Sequence, residues 1–100
     1  MGDLKLGLQL GYWGAGPDPR LVDIAQEAER LGYDAVFTAE AWGSDVFTPL
    51  AWIGAHTSRI RLGTGIAQIS ARAPTATAMA ALSLDHLSGG KNLKMTVCFS

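Results

Sequence analysis

Two kinds of hydrophobic spacing take turns along this chain, and their strict order limits the possible folds more than any other feature. Leu4, Leu6, Leu8 and Leu10 alternate with Lys5, Gly7, Gln9 and Gly11, the period of a strand with one apolar face. After the turn-rich residues 11–17, Asp18 suits a helix N-cap and Pro19 suits the first helical position. Leu21, Ile24, Ala25, Ala28 and Leu31 then follow helical spacing, and Gly32 closes the helix. Residues 34–39, with Val36 and Phe37, read as a second strand, followed by a loop over residues 40–47. Thr48 and Pro49 repeat the cap-then-proline start of a helix that reaches about His56. Residues 60–66 form a third alternation, with Ile60, Leu62, Thr64 and Ile66 opposite Arg61, Gly63 and Gly65. A third helix runs from Pro74 to about Leu87; its cap position holds Ala73, a poor N-cap, so fraying is expected there. Leu93, Met95, Val97 and Phe99 alternate in a fourth strand.

The resulting order is βαβαβαβ. Strands separated by helices must pair in parallel through right-handed crossovers. An open doubly wound sheet and a portion of a barrel both satisfy that order. The strand faces favour the barrel: a doubly wound sheet buries both faces and reads as continuously apolar, whereas here the face opposite the apolar one carries Gly7, Gln9, Gly11, Gly63 and Gly65. A wall that small leaves room for a ligand. The expected fold class is α/β, a partial (β/α)8 TIM barrel comprising the first three βα units plus a fourth strand within a single domain, residues 1–100.

Charge and composition narrow the function. A formal net charge of -1 leaves no basic surplus for nucleic-acid phosphates. No apolar run reaches the length of a membrane span, and the N-terminus lacks the basic start and apolar core of a signal peptide. Cys98 is the only cysteine, so no internal disulfide can form; a reducing, cytoplasmic setting is expected. No metal site is expected: Asp85 and His86 are adjacent and point to different helix faces, and no zinc spacing occurs. His56 and His86 fall near helix C-termini, where a cation is favourable, and read as structural. The Gly14-Ala15-Gly16-Pro17 turn lacks both the dinucleotide fingerprint and the phosphate-loop lysine.

Four segments carry a resemblance. They are Leu6-Gly-Leu-Gln-Leu-Gly-Tyr-Trp13, Glu27-Ala-Glu-Arg-Leu-Gly-Tyr-Asp-Ala-Val-Phe-Thr-Ala-Glu40, Thr57-Ser-Arg-Ile-Arg-Leu-Gly-Thr-Gly-Ile66 and Leu84-Asp-His-Leu-Ser-Gly-Gly90. In this order and spacing they resemble the luciferase-like monooxygenase family, (β/α)8 barrels that use reduced flavin or the deazaflavin coenzyme F420. The segment Ala39-Glu-Ala-Trp-Gly-Ser-Asp45 is most similar to the F420-dependent oxidoreductase type.

The resemblance implies an oxidoreductase that passes a hydride between F420 and a small organic substrate, with FMN-dependent monooxygenation as the alternative. It implies a cofactor platform at Thr64, Gly65 and Ile66, with a cis peptide or bulge at Gly65–Ile66; Gln68 is either a hydrogen-bond partner at the ring edge or a loop residue. Glu40 stands where the family places an acid or histidine near the ring, and either hydrogen-bonds the cofactor or moves a proton during hydride transfer, or is a solvated loop carboxylate. Arg72 is either a contact to an anionic tail or a loop residue. Asp45 reads as a loop or cap residue, and Ser70 as a loop residue beside the platform. Trp13 and Trp42, in the first and second βα loops, either wall a substrate pocket or plug the core. A homo-oligomer is the expected assembly of the intact enzyme. The resemblance ends after Gly90. A complete barrel takes about 250 residues, so this chain is expected to be an N-terminal part, inactive alone because it lacks the later loops that bind the cofactor's phosphate. A non-catalytic, self-associating fragment is the reading from outside the enzyme class.

Overall fold

A computed structural model of the chain describes residues 4–11, 13–41, 43–90 and 94–98. In chain order the elements are β1 (Gly7–Gly11), α1 (Leu21–Arg30), β2 (Ala35–Thr38), α2 (Phe47–Ala55), β3 (Arg61–Gln68), a 3-10 turn (Ile69–Ala71), α3 (Pro74–Leu87) and β4 (Lys94–Cys98). The strands form one four-stranded sheet in the order β1-β2-β3-β4, each neighbouring pair parallel. Sequential order with a helix between every pair is the arrangement of a barrel wall.

The helices share one face of this sheet. Leu21, Ala25 and Ala28 of α1, Phe47, Leu50 and Ile53 of α2, and Leu84 of α3 bury into a single core with Val36 of β2 and Leu62 of β3, while Leu8 and Leu10 of β1 pack against it partly buried. The opposite, inner face carries Gly7, Gln9, Phe37, Gly63 and Gly65, the alternate residues of the same strands. The chain is therefore a partial α/β barrel, and the doubly wound alternative, with helices on both faces, is set aside. Contacts between α3 and α2 leave Leu84 as the buried residue of α3; Met79, Leu82 and Leu87 are exposed.

Several element ends differ from the sequence expectation, each for a local reason. Helix α1 proper starts at Leu21, not at Pro19, because Asp18 caps a tighter turn first: its carboxylate accepts the Arg20 N–H at 2.9 Å and its carbonyl accepts the Leu21 N–H at 3.0 Å. Helix α2 starts at Phe47, ahead of the expected Thr48 cap, because Asp45 supplies the cap, accepting the N–H groups of Phe47 at 3.1 Å and Thr48 at 3.0 Å. Gly32 adopts φ +87°, the left-handed conformation expected of a helix-closing glycine. Ala73 gives α3 no side-chain cap, as its residue type dictates. Leu93 and Phe99, assigned by their alternation to the fourth strand, lie outside the described residues.

The largest departure is at the end of β3. Uninterrupted alternation would place Ile66 with Leu62 and Thr64 on the helix side. Instead Ile66 is 40% exposed, and Ala67, at 1%, takes its place in the core. The β3–β4 register shifts between Gly65 and Ala67, and one extra residue in a strand swaps the faces of everything beyond it. The Gly65–Ile66 peptide bond is cis, as the family resemblance implied. Strand β3 also runs two residues further than expected, so Gln68 ends a strand where a loop was anticipated.

Candidate cofactor-facing rim at the strand ends

Barrel ligands bind at the C-terminal ends of the strands. At that rim β1 contributes Gln9, a polar residue on the otherwise small inner face. Its side-chain amide donates to the Gly65 carbonyl at 2.8 Å, and its amide oxygen accepts the Gly11 N–H at 2.8 Å. One side chain thus ties the end of β1 to the bulge of β3. The fit is close: a Cβ on Gly65 would lie 2.9 Å from the Gln9 amide nitrogen and 3.5 Å from Cβ of Phe37. A glycine at 65 keeps the surface beside Gln9 and Phe37 flat. The sequence reading placed Gln9 on this face but gave it no site role; the signal available was a hydrogen-bonding residue on a strand face otherwise made of glycine.

Glu40, just past β2, is buried at 7% exposure and fully engaged. Its Oε1 accepts the Gln68 N–H at 2.8 Å and Arg72 Nη1 at 2.8 Å. Its Oε2 accepts the Val46 N–H at 3.0 Å and Arg72 Nη2 at 2.7 Å. A carboxylate offers about four lone-pair sites, and these four donors occupy them. The Glu40 N–H in turn donates to the Ile66 carbonyl at 3.1 Å. Burial alone would raise the Glu40 pKa, but the Arg72 guanidinium and the two backbone N–H donors outweigh it and hold the carboxyl below its usual range. Arg72 is a bidentate partner, with its guanidinium carbon 5.2 Å from the Phe47 ring centre. The solvated-loop reading of Glu40 is thereby corrected, and the Arg72 guanidinium is committed to Glu40. Parallel pairing brings the ends of β2 and β3 together, and Glu40 and Arg72 with them, but no spacing in the sequence marks the pair.

The other expected site residues separate. Ile66 and Gln68 sit on the rim beside Gly65. Thr64 does not present its side chain there: it is fully buried in the strand row that faces the helices, which corrects the expectation of a Thr64 side chain on the platform. Ser70 is exposed in the 3-10 turn. Asp45 is a helix cap. Trp13 packs partly buried against the core, and its N–H donates to Ser44 Oγ at 3.2 Å. A Cβ on Gly43 would overlap the Trp13 carbonyl, so the first and second βα loops touch backbone to backbone. Trp13 also lines an apolar groove of about 640 Å³ with Pro17, Leu21, Pro49 and Trp52. That groove lies on the helix side, not over the inner face, so Trp13 belongs to the core-plugging reading. Trp42 lies outside the described residues. His56 ends α2, with Nδ1 2.8 Å from the Trp52 carbonyl, and His86 sits in the last turn of α3; both occupy the helix ends opposite the rim. Among the described residues no cluster of three or more histidine, cysteine or acidic groups could hold a metal, and no helix is long and apolar enough to cross a membrane.

At the opposite, N-terminal end of the strands a second carboxylate does similar work. Glu29 of α1 accepts the N–H groups of Ser58 at 2.9 Å and Ile60 at 2.8 Å, and also that of Arg59.

Solved structures place this geometry in a class. The chain is similar to the monooxygenase RslO1 from Streptomyces bottropensis, with TM-score 0.83 and 28% identity over 94% of this chain and 32% of that one. It superimposes equally well, TM-score 0.83, on the coenzyme F420-dependent tetrahydromethanopterin reductase from Methanopyrus kandleri, where 23% identity over 94% of this chain and 26% of that one speaks to the fold alone. Residues 10–91 match the luciferase-like monooxygenase family model, and the chain belongs to that family. A Mycobacterium tuberculosis relative, provisionally named coenzyme F420-dependent oxidoreductase Rv3520c, is 63% identical over 90 residues, 90% of this chain and 26% of the relative. The 4-hydroxyprotoasukamycin monooxygenase of Streptomyces nodosus subsp. asukaensis is 33% identical over 88 residues, covering 76% of this chain and 24% of the relative. The chain spans about a quarter of the length of these curated relatives.

Proposed function

We propose that this chain forms the first wall of the active site of an F420-dependent oxidoreductase, and that the protein it belongs to transfers a hydride between that coenzyme and a small organic substrate. The observation that carries the reading is the end of β3. There Gly65 and exposed Ile66 form a flat, apolar patch at the barrel rim, bordered by Gln9 and Phe37. A planar, ring-shaped cofactor is the kind of ligand such a patch accommodates, since a side chain at 65 would fill the space. The named function of the 63% identical relative supports F420 over other ring cofactors.

The cofactor, when bound, supplies the hydride. The chain's own residues orient and shield. Ile66 and Gly65 offer an apolar face against one side of the ring, Gln9 holds the Gly65 carbonyl in place, and Gln68 stands at the edge of the patch. Monooxygenation with reduced FMN is the second reading, favoured by the monooxygenase name of the 33% identical relative.

A chimera tests the proposal: the matched segment of this chain replaces its counterpart in the M. tuberculosis relative. Saturable binding of F420, with spectral change on substrate-driven reduction, is the expected result. A folded chimera that binds FMN and ignores F420 would overturn it in favour of the second reading. The segment alone offers one side of a pocket, and tight sites bury most of a ligand's surface; fluorescence titration of the 100-residue chain is therefore expected to show no saturable binding of either cofactor below about 100 μM.

A further inference from the structure

We propose that Glu40 and Arg72 are a positioning pair that fixes the end of β3, and that Glu40 is not a proton carrier. The inference deepens the platform reading above and rests on it only for its consequence; the pair itself is a matter of geometry.

Glu40 holds β3 at two points that straddle Ala67. Its backbone N–H donates to the Ile66 carbonyl at 3.1 Å, and its carboxylate accepts the Gln68 N–H at 2.8 Å. The first anchor falls within the register shift, between Gly65 and Ala67, that turns Ile66 outward and Ala67 into the core, and the second lies just beyond it. The second carboxylate oxygen accepts the Val46 N–H at 3.0 Å, so the same side chain fixes the start of α2 to the end of β3. Arg72 comes from beyond the 3-10 turn and closes the remaining edge with two bonds at 2.8 and 2.7 Å. The Arg72 side chain is itself only 19% exposed.

Such an arrangement suits placement and obstructs proton transfer. A general base needs a free lone pair directed at its substrate, and here each lone-pair site already holds a donor. Protonating the carboxyl would turn one oxygen into a donor facing a backbone N–H and a guanidinium. A buried, charged and doubly bridged pair of this kind has one arrangement that satisfies all its groups, which gives it value as a register-setting device. Its consequence is that Ile66 and Gln68 are held at the rim before any ligand arrives.

The test uses the 100-residue chain without cofactor, so its result is independent of which cofactor, if any, the protein binds. Amide hydrogen exchange and the pH dependence of amide shifts are followed in the wild type, in Glu40→Gln and in Arg72→Lys. In the wild type, the Gln68 and Val46 amides should be protected and should titrate together, with one midpoint below the ordinary glutamate range. In Glu40→Gln, the amide nitrogen of the new side chain must face one edge. Whichever of Gln68 and Val46 lies on that edge should lose at least tenfold in protection, and the shared titration should vanish. Arg72→Lys keeps the charge but not the fork, so it should loosen the same amides while Ile60 and Arg61, at the other end of the sheet, keep their protection. A group that only filled core volume would not give a shared titration at two backbone sites. An unprotected Gln68 amide in the wild type, or Glu40→Gln indistinguishable from it, would overturn the proposal. If Glu40→Gln unfolds the chain, Arg72→Lys decides: uniform loss of protection across the sheet would equally refute a role confined to the rim.

Discussion

The two ends of this half-barrel use the same device for different ends. At the bottom, Glu29 gathers three consecutive backbone N–H groups, those of Ser58, Arg59 and Ile60, and so fixes the loop between α2 and β3. At the top, Glu40 gathers two backbone N–H groups from separate segments and a guanidinium. Glu29 is partly open to solvent, while Glu40 is buried. The bottom clamp ties α1 to a single loop. The top clamp joins three segments across the sheet and shapes the surface on which a ligand would rest. In barrels the bottom face serves stability and the top face carries the ligand site, and one residue type is used at both ends of this sheet with different partners.

The sharpest way to break the comparison is to remove each clamp. Glu40→Ala leaves the Arg72 guanidinium buried without its partner, which typically costs about 3–5 kcal/mol; urea denaturation should show a loss of that order, a large share of the stability of a small domain. Gly43→Ala forces a Cβ into the Trp13 carbonyl. The neighbour is backbone and cannot swing aside, so a loss of about 1–3 kcal/mol is expected from the same measurement. By contrast Glu29→Ala should cost about 1–2 kcal/mol, because water can reach the N–H groups it leaves behind.

Acid should separate the two ends further. Both Glu29 and Glu40 have pKa values lowered in the folded state: burial acts against each, and N–H donors, with Arg72 for Glu40, outweigh it. A lowered folded pKa adds stability that is fully present above the unfolded value, near 4.5, and is lost as pH falls through the folded one. Stability measured from pH 7 downward should therefore fall below about pH 5, and a Glu40→Gln chain that remains folded should show a shallower fall. The smallest effect is expected for Arg30→Ala. Its pair with Glu27 is exposed on both sides, and exposed pairs on helices contribute little; the denaturation midpoint should not move measurably.

Much of the fold was legible because it follows from period alone. The alternation at Leu8 and Leu10, the helical spacing of Leu21, Ala25 and Ala28, and the glycines of the opposite strand face are local facts, and they gave the element order, the parallel pairing and the barrel side of the sheet. The family motifs added the Gly65–Ile66 peptide, which is cis as that likeness implied. The site was less legible for two reasons. First, alternation cannot reveal where it is interrupted: Ile66 and Ala67 exchange faces at a register shift. Thr64, ahead of the shift, keeps the core-side place that alternation gives it, so its side chain is not on the rim. Second, hydrogen bonds between strand ends join residues far apart in the chain. Gln9 reaches Gly65 and Glu40 reaches Arg72, and no spacing rule marks either pair.

The sequence by itself determined what depends on near neighbours: which residues are strand and which are helix, which face of each is apolar, and that strands separated by helices must run parallel. The tertiary structure alone decided what depends on closure: that the carboxylate of Glu40 would be enclosed by four donors from three segments, and that Ala67 would take the core place that alternation assigns to Ile66. The reason is physical. Periodicity is set by the backbone geometry of a few residues at a time, whereas the protonation, burial and aim of a side chain are set by whatever the fold brings against it.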